Sequence, residues 1–169
     1  MNRLSFTIVL LLIINLLYGQ NATNEAIVSW HHNGTIKILD APSGSEITTI
    51  KNDSLNENFI SLEILEEKKG YFHVQIWLAI DQVKHQGWIK KQENIGAFLR
   101  NQNEFVDIKL YLESHSDEFQ LIEKWKTKFI TIEEYDQDWI KISISHKGKR
   151  LTGWIKSNLI CANNYSTCS

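Results

Sequence analysis

The side chains able to do chemistry are spread thinly along this chain. Six histidines invite metal ligation, since neutral imidazole is a common ligand. His31 and His32 are adjacent, so in a strand they point to opposite faces and do not share one ion. His73, His85, His115 and His146 stand alone, with no H-E-x-x-H or similar spacing, so solvated or capping imidazoles are expected and a metal site is not. Glu66-Glu67 and Asp136-Gln137-Asp138 are the pairs that could act as general acid and base, but they fall at expected turns with no cleft implied around them. G-x-S-x-G, a P-loop and G-x-G-x-x-G are all missing from the sequence, so no catalytic residue and no cofactor is expected. Four N-x-S/T patterns begin at Asn21, Asn33, Asn52 and Asn164, and they matter only in a host that glycosylates them.

Cys161 and Cys168 are the two cysteines. Two thiols with nothing else to pair with most simply form one local bridge. A loop this short removes little chain entropy, so the bridge would staple the end of the chain rather than hold the core. A redox or nucleophilic thiol is the alternative, and it lacks C-x-x-C spacing or a nearby histidine.

These groups sit in a chain whose composition excludes several classes. Of 169 residues, 43% are hydrophobic and 22% charged, too apolar for a disordered protein. The formal net charge of −2 supplies no basic footprint for nucleic acid. Residues 1–20 open on Arg3, run through the apolar stretch FTIVLLLIINLL at 6–17 and turn polar after Gly19. That pattern predicts a signal peptide. Twelve apolar residues are short of the roughly twenty a spanning helix needs. The mature protein is therefore expected to be exported, periplasmic or extracellular, with no later transmembrane segment.

The elements that must position the remaining side chains read as strands. Runs rich in Ile, Val, Phe, Tyr and Trp alternate with polar residues in FISLEI (59–64), YFHVQIWLAI (71–80) and WIKISI (139–144). Period two over such lengths predicts half-buried strands. Pro42-Ser43-Gly44-Ser45, Lys68-Lys69-Gly70 and His146-Lys147-Gly148-Lys149 are turn-like spacers. The best helical segment is a short piece at 94–100. The pattern also occurs twice. IKIL (36–39), FISLEI (59–64), YFHVQI (71–76) and GWIKK (87–91) return in the same order as IKLY (108–111), FITIEE (129–134), WIKISI (139–144) and GWIKS (153–157). Each unit has about 60 residues, the size of a small domain that folds alone but marginally. The expected organisation is a signal peptide at 1–20, a first domain at 30–92, a linker at 93–105, a second domain at 106–162 and a tail at 163–169.

Each unit resembles a bacterial SH3-like (SH3b) domain. The resemblance rests on the opening strand Ile36-Lys37-Ile38 leading to Ala41-Pro42-Ser43, on Tyr71-Phe72-His73-Val74 and Trp139-Ile140-Lys141-Ile142 as the W-x-x-V element, on Gly87-Trp88-Ile89 and Gly153-Trp154-Ile155, and on the final turn Ser157-Asn158-Leu159. The second unit carries Ser114-His115-Ser116 where the first has its proline. The resemblance implies two small all-β barrels in tandem, no catalytic activity, and a cell-wall peptide, glycan or envelope protein as partner. Two units and a tail use nearly all of the mature chain, which leaves no room for a catalytic domain of usual size.

Alternation then sorts the faces. Ile140, Ile142 and Ile144 share one face, as do Val74, Ile76, Leu78 and Ile80. These rows are expected in the core, since burying each such side chain contributes about 1.5–3 kcal/mol. Tyr71, Trp77, Trp88, Trp139 and Trp154 are left on the outer face. With Trp125, whose polar context Glu123-Lys124-Trp125-Lys126 fits exposure and an ordinary cross-strand contact equally, they are the expected ligand-binding residues. Trp30 and Tyr135 are further candidates. The competing reading is that these rings pack against loops, the other unit or another subunit.

Overall fold

In the computed structural model the structure describes residues 24–78, 80–81, 84–100, 103–126 and 129–165. The expected signal peptide, Cys168 and the last four residues of the expected tail lie outside the described residues. The described chain is all-β. Its strands are β1 (Glu25–Val28), β2 (Gly34–Leu39), β3 (Glu46–Asn52), β4 (Ile60–Lys68), β5 (Tyr71–Leu78), β6 (Lys84–Lys90), β7 (Ile95–Leu99), β8 (Phe105–Tyr111), β9 (Phe119–Lys126), β10 (Phe129–Asp136), β11 (Trp139–His146), β12 (Lys149–Lys156) and β13 (Ile160–Cys161). Two 3₁₀ turns, η1 (Ser54–Asn56) and η2 (Ser157–Leu159), are the only helical pieces among the described residues.

All pairings are antiparallel, and the strand path runs β3-β2-β6-β5-β4-β1-β7-β10-β11-β12-β8-β9, with β13 on β7. The path does not close on itself, so the expectation of two closed barrels is met only at the level of an all-β antiparallel fold. The order is a mirror about the β1–β7 pair, and the registers repeat. Tyr71 faces Lys90 as Trp139 faces Lys156, His73 faces Trp88 as Lys141 faces Trp154, and Val74 faces Gly87 as Ile142 faces Gly153. Leu39 meets Trp88 as Tyr111 meets Trp154. Both glycines are forced by close approach. A Cβ on Gly87 would lie 2.5 Å from Ile38 Cγ2, and one on Gly153 would lie 2.7 Å from Leu110 Cβ.

Three of the four repeated blocks therefore align as the sequence suggests. The fourth is displaced. Ile64 pairs Val74 as Ile132 pairs Ile142, and Ser61 pairs Ile27 as Phe129 pairs Phe98. FISLEI and FITIEE are thus offset by two residues from the sequence alignment. A slip of two leaves every side chain on its own face, so alternation alone does not detect it.

β7 corrects two expectations at once. Residues 94–100 are not helical, and residues 93–105 are not merely a linker. Ile95, Ala97 and Leu99 point into the core, while one edge of β7 pairs β10 and the other pairs both β1 and β13. Five apolar residues are too few for period to separate helix from strand, and pairing on both edges decides. In the second half β7 takes the place that β1 has in the first, since Ala97 pairs Ile130 as Ala26 pairs Leu62. In the first half it takes the place that β13 has in the second, since Val28 pairs Ile95 as Leu99 pairs Ile160. One strand serves both halves.

The core follows from this arrangement. A single buried cluster joins Ile36, Phe72 and Ile89 to Ile108, Ile140 and Ile155 through Val28, Ile95 and Ala97. Val74, Ile76, Leu78, Ile140, Ile142 and Ile144 are buried as expected, and so is Phe72. Ile80 is not; it lies beyond the end of β5 and is 59% exposed. The described part of the segment expected to be a tail, residues 163–165, is docked on the first half. Tyr165 Oη donates to Glu57 O at 2.6 Å and accepts from Phe59 N at 3.1 Å, and Asn164 Nδ2 donates to Val28 O at 2.9 Å. Cys161 is disulfide-bonded.

Candidate functional site

The richest arrangement of aromatic and charged side chains forms where β8, β11 and β12 meet. Trp139 opens β11, directly opposite Lys156 on β12. Tyr111, the last residue of β8, meets the Trp139 ring edge-on, with centroids 4.9 Å apart. The His115 ring lies 5.8 Å from it, and Lys156 Nζ sits 4.1 Å above it. Phe119 continues the row beside Tyr111 at 5.5 Å, with Lys109 Nζ 4.4 Å above its ring. Both ammonium groups are placed for cation–π attraction.

Trp139 is only 5% exposed, and its indole N–H has no hydrogen-bond partner among the described residues. A buried donor without an acceptor is rare and costly. Beside it Tyr111 and Lys156 wall a cleft of about 310 Å³. Leu99, Val106, Ile108 and Leu159 supply its apolar side, and Arg100, Lys109 and Asp107 its charged rim. Lys156 also bonds Asp138 at 2.7 Å, and this ammonium holds the Asp138 carboxyl below its usual range. Asp107 accepts the main-chain N–H of Lys124 at 2.9 Å. No ion pair engages Arg100 or Lys109 among the described residues. The arrangement offers a flat aromatic wall, an apolar side and positive charge, which suits recognition rather than bond-making.

The equivalent place in the first half is built differently. Tyr71 stands where Trp139 does and accepts a hydrogen bond from Ser43 Oγ at 3.3 Å. Leu39 replaces Tyr111. His73 stacks on Trp88 with centroids 5.0 Å apart.

The six aromatics expected on the outer face do not form one patch. Tyr71, Trp77 and Trp88 are half-buried. Trp139 and Trp154 are only 5% and 8% exposed, against the expectation that they face water, and Trp125, whose context fits exposure and a cross-strand contact equally, is 3% exposed. Alternation placed the strands' inner rows correctly, but the outer row of the second half is covered. Tyr111 and the β8–β9 loop overlie Trp139, Lys141 Nζ sits 5.7 Å from the Trp154 ring centroid, and Trp125 donates its indole N–H to Ser145 O at 3.1 Å. Trp30 is exposed and meets Phe98 edge-on at 5.6 Å. Tyr135 donates from Oη to Glu25 O at 2.8 Å across the two halves, and burial raises its phenol above the usual tyrosine range. Tyr111, Phe119, Arg100 and Lys109 were not singled out from sequence. The aligned pair IKIL and IKLY held the one usable signal, an aromatic in the second copy where the first has Leu39.

Among the described residues no three His, Cys, Asp or Glu side chains are grouped so as to hold a metal ion, and no helix is long and apolar enough to cross a membrane. Of the N-x-S/T asparagines, Asn33 is exposed, while Asn52 and Asn164 are buried with their side chains bonded to the main chain. No protein-family model matches the chain, and neither does any curated protein or solved structure.

Proposed function

We propose that this chain is an exported, non-catalytic binding module. Its halves are SH3-like units, and it recognises a peptide or a peptidoglycan-type ligand of the cell envelope. The aromatic cleft of the second half carries the binding. The observation behind this reading is an open cleft of about 310 Å³ walled by the Tyr111 ring and lined by three cationic side chains, Arg100, Lys109 and Lys156. Retention on purified wall material tests the proposal. Tyr111→Ala removes the wall and should weaken retention by about tenfold, as expected for one truncated aromatic anchor. Equal retention by parent and variant argues against the cleft.

A second reading has its own support. Trp125 and Trp154 are buried within their own half, and Tyr135 and Tyr165 tie the two halves together. On this view the aromatics serve internal assembly, and the protein is a structural or interaction component. Unchanged retention together with a large loss of stability in Tyr165→Ala favours it.

A further inference from the structure

We infer that the ligand of the second-half cleft is an acidic peptide, and that the first half does not share in taking it. This rests on the binding-module reading above and specifies its ligand. Three cationic side chains, Arg100, Lys109 and Lys156, line the cleft against one carboxylate, Asp107. Lys156 is committed to Asp138 and Asp107 to a main-chain N–H. Arg100 and Lys109 have no carboxylate partner among the described residues, in a chain whose net charge is −2. The main-chain N–H of Arg100 bonds Leu159 O at 2.7 Å, which fixes the backbone that carries its side chain at the rim. Between these charges lie Leu99, Val106, Ile108 and Leu159, which suit an aliphatic side chain better than a sugar ring with its hydroxyls. Charge at the rim with apolar surface inside matches a peptide that alternates carboxylate and aliphatic groups.

The first half serves as an internal control. The main-chain N–H of Ser29 bonds Asn94 O at 2.8 Å, as that of Arg100 bonds Leu159 O, so buried Ser29 stands in the place of Arg100. Register with Leu39 and Tyr111 puts Lys37 in the place of Lys109, and Lys37 is held by Glu46 at 2.8 Å. The same fold position therefore lacks both the cations without a carboxylate partner and the aromatic wall.

An array of random hexapeptides probed with the full chain tests the inference. Bound peptides should be enriched in those with both a carboxylate and an aliphatic residue. The double variant Arg100→Gln with Lys109→Gln alters two exposed side chains and should bind them about fivefold more weakly, the size expected for two solvent-facing charge contacts. Lys37→Gln should bind as the parent does. Bound peptides without charge bias, or undiminished binding by the double variant, overturn the acidic ligand while leaving the binding module standing. Capture of peptide-free wall glycan with no peptide bound overturns the peptide assignment in favour of a sugar. If neither the array nor wall material is bound, the module reading fails as well.

Discussion

The two halves share most of their strand pairing, yet they differ at several positions that meet solvent. The bulge in the fourth strand of each half shows this. It falls between Ile64 and Glu66 in β4 and between Ile132 and Glu134 in β10. The bulged residue is Leu65 in the first half, 46% exposed and without a polar role. In the second half it is Glu133, which accepts from Ser143 Oγ and pairs with Arg150 Nη2 at 2.7 Å, while its main-chain oxygen accepts from Lys91 Nζ. Arg150 reaches Glu93 at 2.6 Å as well. Matching backbone therefore carries unrelated chemistry. The inner rows are alike in the two halves, while the outer rows share Trp88 with Trp154 and Lys90 with Lys156 and differ around them.

The largest expected effect tests whether the halves are separable at all. A Cβ on Gly96 would overlap the carbonyl oxygen of Ile130, at the one strand both halves use. Gly96→Ala should prevent the native fold of both halves together, with far-UV circular dichroism and amide dispersion lost in the first as well as the second. A variant that keeps native signals for residues of β2 to β6 would break the idea of a shared strand.

A smaller effect sharpens the contrast between the equivalent aromatics. Trp139 is buried and Tyr71 half-buried. Trp139→Ala should cost about 3–5 kcal/mol in urea unfolding, the range for removing a buried large ring, whereas Tyr71→Ala should cost about half of that or less. Equal losses would mean that the covering loop of the second half adds nothing.

The smallest effect concerns pH and one carboxyl of the second half, Glu133. Desolvation pushes the Glu133 carboxyl up, but Ser143 Oγ and Arg150 outweigh it and hold it below its ordinary value of 4.5. A lowered folded value means that the stabilisation is complete above 4.5 and is lost as pH falls through the lowered value. The effect should stay under about 1 kcal/mol because the pair is partly solvated. Acid titration of the midpoint in the parent and in Arg150→Met measures it, and the variant should show the flatter profile.

Much of this was legible because a period of two is a strong physical signal. Ile140, Ile142 and Ile144 had only one way to be buried, and the two GWIK blocks marked equivalent strands in the two halves. The shared strand was hidden because Ile95-Gly96-Ala97-Phe98-Leu99 is short enough to fit either secondary structure, and its partners lie far off in sequence. The cleft was hidden for a related reason. Alternation states which side of a strand a ring occupies, but not what another hairpin lays over it. Trp139 was rightly placed opposite the isoleucines, and it took Tyr111, from across the sheet, to bury it.

β13 is two residues long and pairs β7 as, one unit earlier, β7 pairs β1. A strand of five residues there, like β7, would form a seam on which a further copy could be built. The architecture is thus a tiling rule in which neighbours overlap by one tile. Growth by further copies demands little, while trimming back to a single copy strips a border from whatever remains.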